Sequence, residues 1–393
     1  MPLPAHVILQ KAERLRFPGR EGLLASALSG DRASLETIMA GAEPPLVDRL
    51  HRLGPAIFVR LRRAGFIQSE APAWRSSFLR TAVTHLAIQA TLRRVSEALG
   101  AANVAWAPIK GGDLCTRVYD QPEERPMVDL DVLISNEDYS VARAALEAGG
   151  FMSLERGERA NRFVLDEGHC WHAKSPDGML LELHTRLWGW VPEGIAEEAL
   201  ASATPDPSLG HTGRRIPLLH AFVIAALHAW SIPTPRPLLC WWDLARILQV
   251  AGSHLPEAVI ETAGRYGIQL PVGLAAAQTA GLWRLPECER MASVLLSDLR
   301  WAETFAARRV FSRGTDALPL EGLCLARLVS RRTSRQGWKT VWRRLWAHAG
   351  IVEQSTPAEW PWWVRRAVHV LKGARIIRPR RNLRDRRPRR MGS

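Results

Sequence analysis

The stretch MVDLDVLIS, Met127 to Ser135, constrains this chain most. Its period-two pattern predicts a strand in which Leu130 and Val132 point into a core while Asp129 and Asp131 project together from the other face, about 7 Å apart. Two carboxylates so placed repel, and a core strand has little use for them unless a cation lies between. Oxygen ligands without sulfur select Mg²⁺ or Mn²⁺ over zinc. A strand edge in water, or an aspartate paired with Arg125, stays open as the plainer reading.

The surrounding residues extend the pattern. VAWAPI reads as a short strand, Gly111 and Gly112 break it, and DLCTRVY starts a helix that ends near Pro122. NEDYSVARAALEAGGF reads as a helix with Asn136 as N-cap and with Val141, Ala145 and Leu146 on its inner side. HCWHAKSPDGMLLELHTRLWG reads as a hairpin, because Pro176, Asp177 and Gly178 supply turn chemistry between two β-compatible runs. The result is a compact unit of strands and helices over about residues 101–190.

Within it, the backbone N–H groups of Gly111 and Gly112 suit phosphate oxygens, and Lys110 offers a point charge to the same group or is simply solvated. Glu182, in MLLELH, is a third carboxylate on a neighbouring strand. Three such carboxylates can hold two divalent ions. Arg125 suits a triphosphate or the strand's aspartates equally. If Lys174 pairs with Met179 across the turn, His169, His184 and Glu182 share a face and make an alternative, zinc-type set; a register one residue different brings His172 beside Glu182 instead. Otherwise His184 orients Glu182 or meets substrate. His228 and Asp243 read as a buried polar contact, and Cys115 as a cysteine without a catalytic partner.

The flanks are helical. Over residues 1–100, Leu79, Val83, Leu86, Ala90, Leu92, Val95 and Leu99 suggest one apolar stripe, and residues 191–374 return to helical patterning in LLHAFVIAALHAW and CWWDLARILQVAG. Trp338, Trp342 and Trp346 recur every four residues and read as a core-facing stripe. Of the formal charge of +14, the end of the chain from Arg375 carries +8, with nine arginines and one aspartate. That run reads as a disordered, solubilising tail or as a nonspecific contact to an anionic partner. Five scattered cysteines without a CxxC pair suit a reducing compartment. With no apolar run long enough to cross a bilayer, a cytoplasmic protein is expected.

The order of strand, Gly-Gly, helix, DLD strand, helix and third-carboxylate strand resembles the polymerase-beta-type nucleotidyltransferase superfamily. More narrowly, IKGGDLCTRVYDQPEERPMVDLDVLI, LLELH and LLHAFVIAALHAW…WWDLARIL are similar to an uncharacterised bacterial nucleotidyltransferase-like family, over about residues 80–260. The resemblance implies an α+β fold, with a small mixed-sheet core between helical regions. It also implies transfer of a nucleotidyl group from an NTP with Mg²⁺ or Mn²⁺, on Asp129, Asp131 and Glu182, to a hydroxyl or phosphate acceptor in peptide or natural-product chemistry. Gly111 and Gly112 match the family's glycine motif, although many superfamily members have Gly-Ser, a shorter interval to the DxD and Asp as the third acid. Two other readings share the fold: a degenerate module that binds a peptide, nucleotide or partner, and an enzyme transferring phosphate or sugar-phosphate.

Overall fold

The computed structural model describes residues 20–41, 47, 50–66, 72–154, 170–188, 191, 192, 194–231 and 237–297. All fall in a unit spanning Met1–Ser334; a second unit, Arg335–Ser393, lies outside them. His169, Cys324, the tryptophan stripe and the arginine-rich end therefore lie outside the described residues.

Among the described residues, helices α1 (Arg20–Leu28), α2 (Arg32–Gly41), α3 (Gly54–Arg63) and α4 (Pro72–Ala101) precede the sheet. The sheet unit follows as β1 (Trp106–Ile109), α5 (Gly111–Arg117), β2 (Asp129–Ile134), α6 (Tyr139–Ala148), β3 (Met152–Ser153), β4 (Cys170–Lys174) and β5 (Leu180–His184). The strands lie in the order β1-β2-β5-β4-β3, with β2 and β5 parallel and the other neighbours antiparallel. Then come α7 (Gly194–Ala201), the two-stranded pair β6 (Thr204–Pro205) and β7 (Arg214–Arg215), and helices α8 (Leu218–Ser231), α9 (Leu239–Ala251), α10 (Leu255–Tyr266), α11 (Gln269–Trp283) and α12 (Pro286–Leu295). The fold is α+β, a small mixed sheet among helices.

Strand alternation sorts the sheet's two faces. Leu130, Val132, Trp171, Leu181 and Leu183 join Ile88, Leu92, Val95 and Leu99 of α4 and Ala142 and Leu146 of α6 in one core. Ala107, Ile109 and Leu133 face the other way, into a larger core that unites α1–α3 with α7–α12. The carboxylates of β2 share that second face, so the helices on both sides of the sheet unit in sequence close over one chemical surface.

Three local expectations change. Leu79, Val83 and Leu86 are 48%, 68% and 69% exposed; α4 buries the expected Leu92, Val95 and Leu99 together with Trp74, Ser77, Thr81, His85 and Ile88. That set steps by three and four residues, the true helical face, whereas the apolar positions alone mix two faces. Helix α6 starts at Tyr139 rather than after Asn136, with the Asp138 N–H donating to the Ser135 hydroxyl at 3.0 Å, and it buries Tyr139, Ala142 and Leu146 while Val141 is exposed. In the β4–β5 hairpin Lys174 pairs with Leu180, not Met179. Ser175 and Met179 close the turn through the Ser175 N–H to the Met179 carbonyl at 2.8 Å, leaving a three-residue loop with Gly178 at φ +84°.

The long interval between α5 and β2 ties the sheet unit to the helices. Tyr119 donates to Asp243 Oδ1 at 2.6 Å, and Arg125 holds the same carboxylate with Nε at 3.2 Å and Nη2 at 2.9 Å. Asp120 receives Arg63 of α3 at 2.5 Å and Arg246 of α9 at 2.7 Å, while Arg60 lies 3.8 Å from the buried Glu124. Residues that look like surplus loop in the sequence are thus the anchor of the sheet on its helical cover.

Candidate active site on the helix-covered face of the sheet

In the observed register Asp131 of β2 lies beside Glu182 of β5, and Glu182 beside His172 of β4; one pleat along, His184 lies beside Cys170. Side chains two residues apart share a face, so Asp129, Asp131, Glu182, His184, His172 and Cys170 form one patch across three strands. Cys170 takes the place opposite His184, and His169, expected there, lies outside the described residues.

Asp131 is the buried centre. Its Oδ1 accepts Lys110 Nζ at 2.5 Å and meets His184 Nε2 at 3.0 Å. His184 also reaches Glu182 Oε2 at 3.3 Å, so one imidazole bridges the two carboxylates. Burial alone would raise the Asp131 carboxyl, but the Lys110 charge and the hydrogen bonds from His184 and Lys110 outweigh it and hold it well below the usual carboxylate range. Burial likewise opposes the charge on Lys110, and Asp131 and Glu182 override it, raising the ammonium.

Lys110 reaches this position at a cost. It sits at φ 52°, ψ −129°, between β1 and α5, a backbone region that disfavours side chains by about 1–3 kcal/mol. The pair with Asp131 and the Trp188 ring, whose centroid is 5.1 Å from Nζ, hold it there. His228 stacks on Trp188 at 5.3 Å, and burial, with the Lys110 charge behind it, keeps this imidazole well below its usual value. Asp243 is taken by Arg125 and Tyr119, so the expected His228–Asp243 contact is replaced by two separate ones.

Asp129 behaves oppositely to Asp131. Burial raises its carboxyl, and the charges of Asp131 and Glu182 raise it further, against partial relief from Lys110 and Arg52. Folding therefore opposes ionisation of Asp129, and stability falls as pH rises from its unfolded value, about 3.9, through the raised folded one. For Asp131 the sign reverses: its contribution is full above the unfolded value and is lost as pH falls below it. In metal-free protein at neutral pH, Asp129→Asn is expected to raise the melting temperature, while Asp131→Asn lowers it. Calorimetric scans of the two variants check the opposite signs.

Gly111 and Gly112 are buried at the start of α5. A Cβ on Gly111 would overlap the Arg125 guanidinium and lie 2.8 Å from Met127 Cγ and Sδ; one on Gly112 would lie 2.8 Å from Leu130. The glycines therefore let α5 close on β2 and on the arginine anchor. Gly111→Ala is expected to cost about 1–3 kcal/mol by overpacking, read from a shifted urea midpoint. Arg125 is spent on Asp243, so neither of its two expected partners, the strand's aspartates or an open phosphate site, is the observed one. Cys115 is buried with its thiol pushed up to about 12 by burial, which leaves it inert.

Among the described residues, two groups gather ligand atoms within 4.8 Å of one another: Asp131 with Glu182 and His184, and Cys170 with His172 and Glu182. Asp129, Asp131 and Glu182 together face one buried ammonium, and Asp129 is pressed toward its neutral form, so the excess of carboxylates suits a hard divalent cation by charge, with His184 as an imidazole at its edge. Sequence reasoning missed Trp188, Arg52 and the Cys170–His172 pair. Arg52 donates to the Pro126 carbonyl at 3.1 Å and lies close enough to Asp129 to be felt by it, though it precedes the sheet unit by half a hundred residues.

The pattern of a family described as uncharacterised nucleotidyltransferase matches residues 47–284, more than half of the chain. The chain belongs to this family. The matched span includes every residue of the patch, Lys110 and the Arg125–Asp243 anchor, and so takes in helices on both sides of the sheet. Among solved structures, the antibiotic-resistance factor ANT(2'')-Ia, described with substrate-regulated conformation dynamics, is similar at 17% identity, covering 46% of this chain and 93% of that one with a TM-score of 0.33. No curated protein matches. Family membership supports nucleotidyl transfer as the activity class, with an NTP as donor. No helix among the described residues is long and apolar enough to cross a membrane.

Proposed function

We propose that this nucleotidyltransferase moves a nucleotidyl group from an NTP to a hydroxyl or phosphate on a small molecule or peptide, with Mg²⁺ or Mn²⁺ held by Asp129, Asp131 and Glu182. The observation that carries the reading is the register that sets Asp131 beside Glu182 with Asp129 one pleat away on the same face. A divalent cation held by these carboxylates would supply charge neutralisation of the donor phosphates and a lowered pKa for the attacking hydroxyl. The acceptor oxygen bonds to the α-phosphorus as the bond to the bridging oxygen breaks, and pyrophosphate leaves with the electron pair. Asp131, held anionic by Lys110 and His184, is a poor proton acceptor; Glu182, 18% exposed, takes the acceptor's proton. Gly111 and Gly112 present backbone to the donor's phosphates, and Lys110, on leaving Asp131, offers them its charge. His184 keeps the two carboxylates at a fixed spacing.

One contact favours a second reading. Lys110 Nζ already lies on Asp131 Oδ1, where a cation would bind, as expected of a binding module that has traded its ion for an ammonium. Calorimetry separates the two. NTP binding that requires Mg²⁺ and weakens at least about tenfold in Glu182→Ala supports transfer; NTP or peptide binding indifferent to Mg²⁺ supports the module.

A further inference from the structure

The hairpin register builds a second ligand set that the transfer reading does not use. Cys170 and His172 lie two residues apart on β4, and His172 pairs directly with Glu182. Cys170 Sγ is 3.5 Å from His172 Nε2 and 4.0 Å from Glu182 Oε2, and His172 Nε2 is 3.7 Å from Glu182 Oε1. Zinc bonds of about 2.3 Å to sulfur, 2.0–2.1 Å to imidazole and 2.0–2.2 Å to carboxylate, placed tetrahedrally, require edges of roughly 3.5 Å between S and N, 3.6 Å between S and O and 3.4 Å between N and O. The observed triangle is wider by a few tenths of an ångström at most. Its two carboxylate contacts use opposite oxygens, which a small turn of the Glu182 carboxyl reconciles.

We propose that Cys170, His172 and Glu182 form a zinc site, distinct in chemistry from the hard-cation set beside it. Thiolate and imidazole favour zinc over magnesium. Three protein ligands leave the fourth tetrahedral position to water. The side chain of His172 is 40% exposed, giving the ion a way in, while Cys170 is buried. Binding forms the Zn–S bond and releases the thiol proton to solvent, so affinity rises with pH. Glu182 belongs to both sets, so zinc on this site draws on the carboxylate that the transfer reaction needs. The zinc site itself stands whether or not the transfer reading does.

Cobalt serves as the spectroscopic stand-in. Titrating the full chain with Co²⁺ should produce a thiolate-to-cobalt charge-transfer band that one equivalent of Zn²⁺ abolishes. The band should vanish in Cys170→Ala. In His172→Ala, whose side chain is 40% exposed, zinc affinity should fall by more than the about 10- to 100-fold that loss of an outer partner causes. Asp131→Asn should keep both band and binding. A wild-type spectrum without the thiolate band would overturn the proposal, as would zinc binding undiminished in His172→Ala, or binding lost in Asp131→Asn while Cys170→Ala retains it. If Cys170→Ala does not fold, zinc protection of Cys170 from alkylation in the wild type replaces it, and unprotected labelling counts against the site.

Discussion

Asp131→Asn should lower NTP-dependent transfer by about 10²–10³-fold or more, the scale of losing one preorganised charge-stabilising group. The change removes a cation ligand and also releases Lys110 and His184, which both converge on Oδ1. Its effect on the fold should be smaller but readable, since Lys110 keeps Glu182 at 3.7 Å and the Trp188 ring as partial compensation. Because the family's activity class does not name the acceptor, the assay follows the donor. Wild-type protein with Mg²⁺ should release pyrophosphate in the presence of a competent extract, and the variant should not. Lys110→Ala complements it: if the lysine serves the donor phosphates, that variant raises KM for NTP more than it lowers kcat, whereas a lysine that only stands in for the ion leaves KM unchanged.

The second large effect is on stability. Asp243→Ala should cost about 3–5 kcal/mol, the penalty of stranding a buried charge, because it leaves the Arg125 guanidinium without the carboxylate that its Nε and Nη2 engage and leaves the Tyr119 hydroxyl unmatched. Burial opposes the charge on Arg125, and the Asp243 carboxylate overrides this and raises it. Arginine does not shed its proton at any ordinary pH, so the variant cannot escape by neutralising it. Urea unfolding followed by circular dichroism checks the loss. A double change, Arg125→Met with Asp243→Leu, should recover much of it by replacing a buried pair with apolar packing. If the single and double variants are equally unstable, the anchor acts through shape rather than charge.

How much of this was legible in the sequence depends on the range of each interaction. The strand at Asp129–Ile134 and the shared face of its aspartates follow from a period of two and hold in the structure. The core helices α8 and α9 follow from continuous apolar runs. The α4 stripe holds at Leu92, Val95 and Leu99 but fails in the first half of the helix, because the buried face there includes Ser77, Thr81 and His85, side chains that a count of apolar residues passes over. The hairpin register turns on a single loop residue: Gly178 in the left-handed region permits a three-residue loop, and that slip replaces a histidine pair with Cys170 and His172. Arg125 finds its partner 118 residues away, and Lys110 its indole across the sheet. No local pattern encodes such contacts. The glycine pair was legible as a break, but its tight packing against Arg125 and Leu130 needed coordinates.

The proposed reaction transfers the α-phosphate together with its nucleoside. Incubating the full chain and Mg²⁺ with a small-molecule and peptide extract, in parallel with α-labelled and γ-labelled NTPs, tests it most directly. Label from the α-position is expected to enter an acceptor as a nucleoside monophosphate, γ-label to leave as pyrophosphate, and both to stop on chelation and in Asp131→Asn. Transfer of the γ-label to the acceptor, or α-label transfer that survives Asp131→Asn, would contradict it.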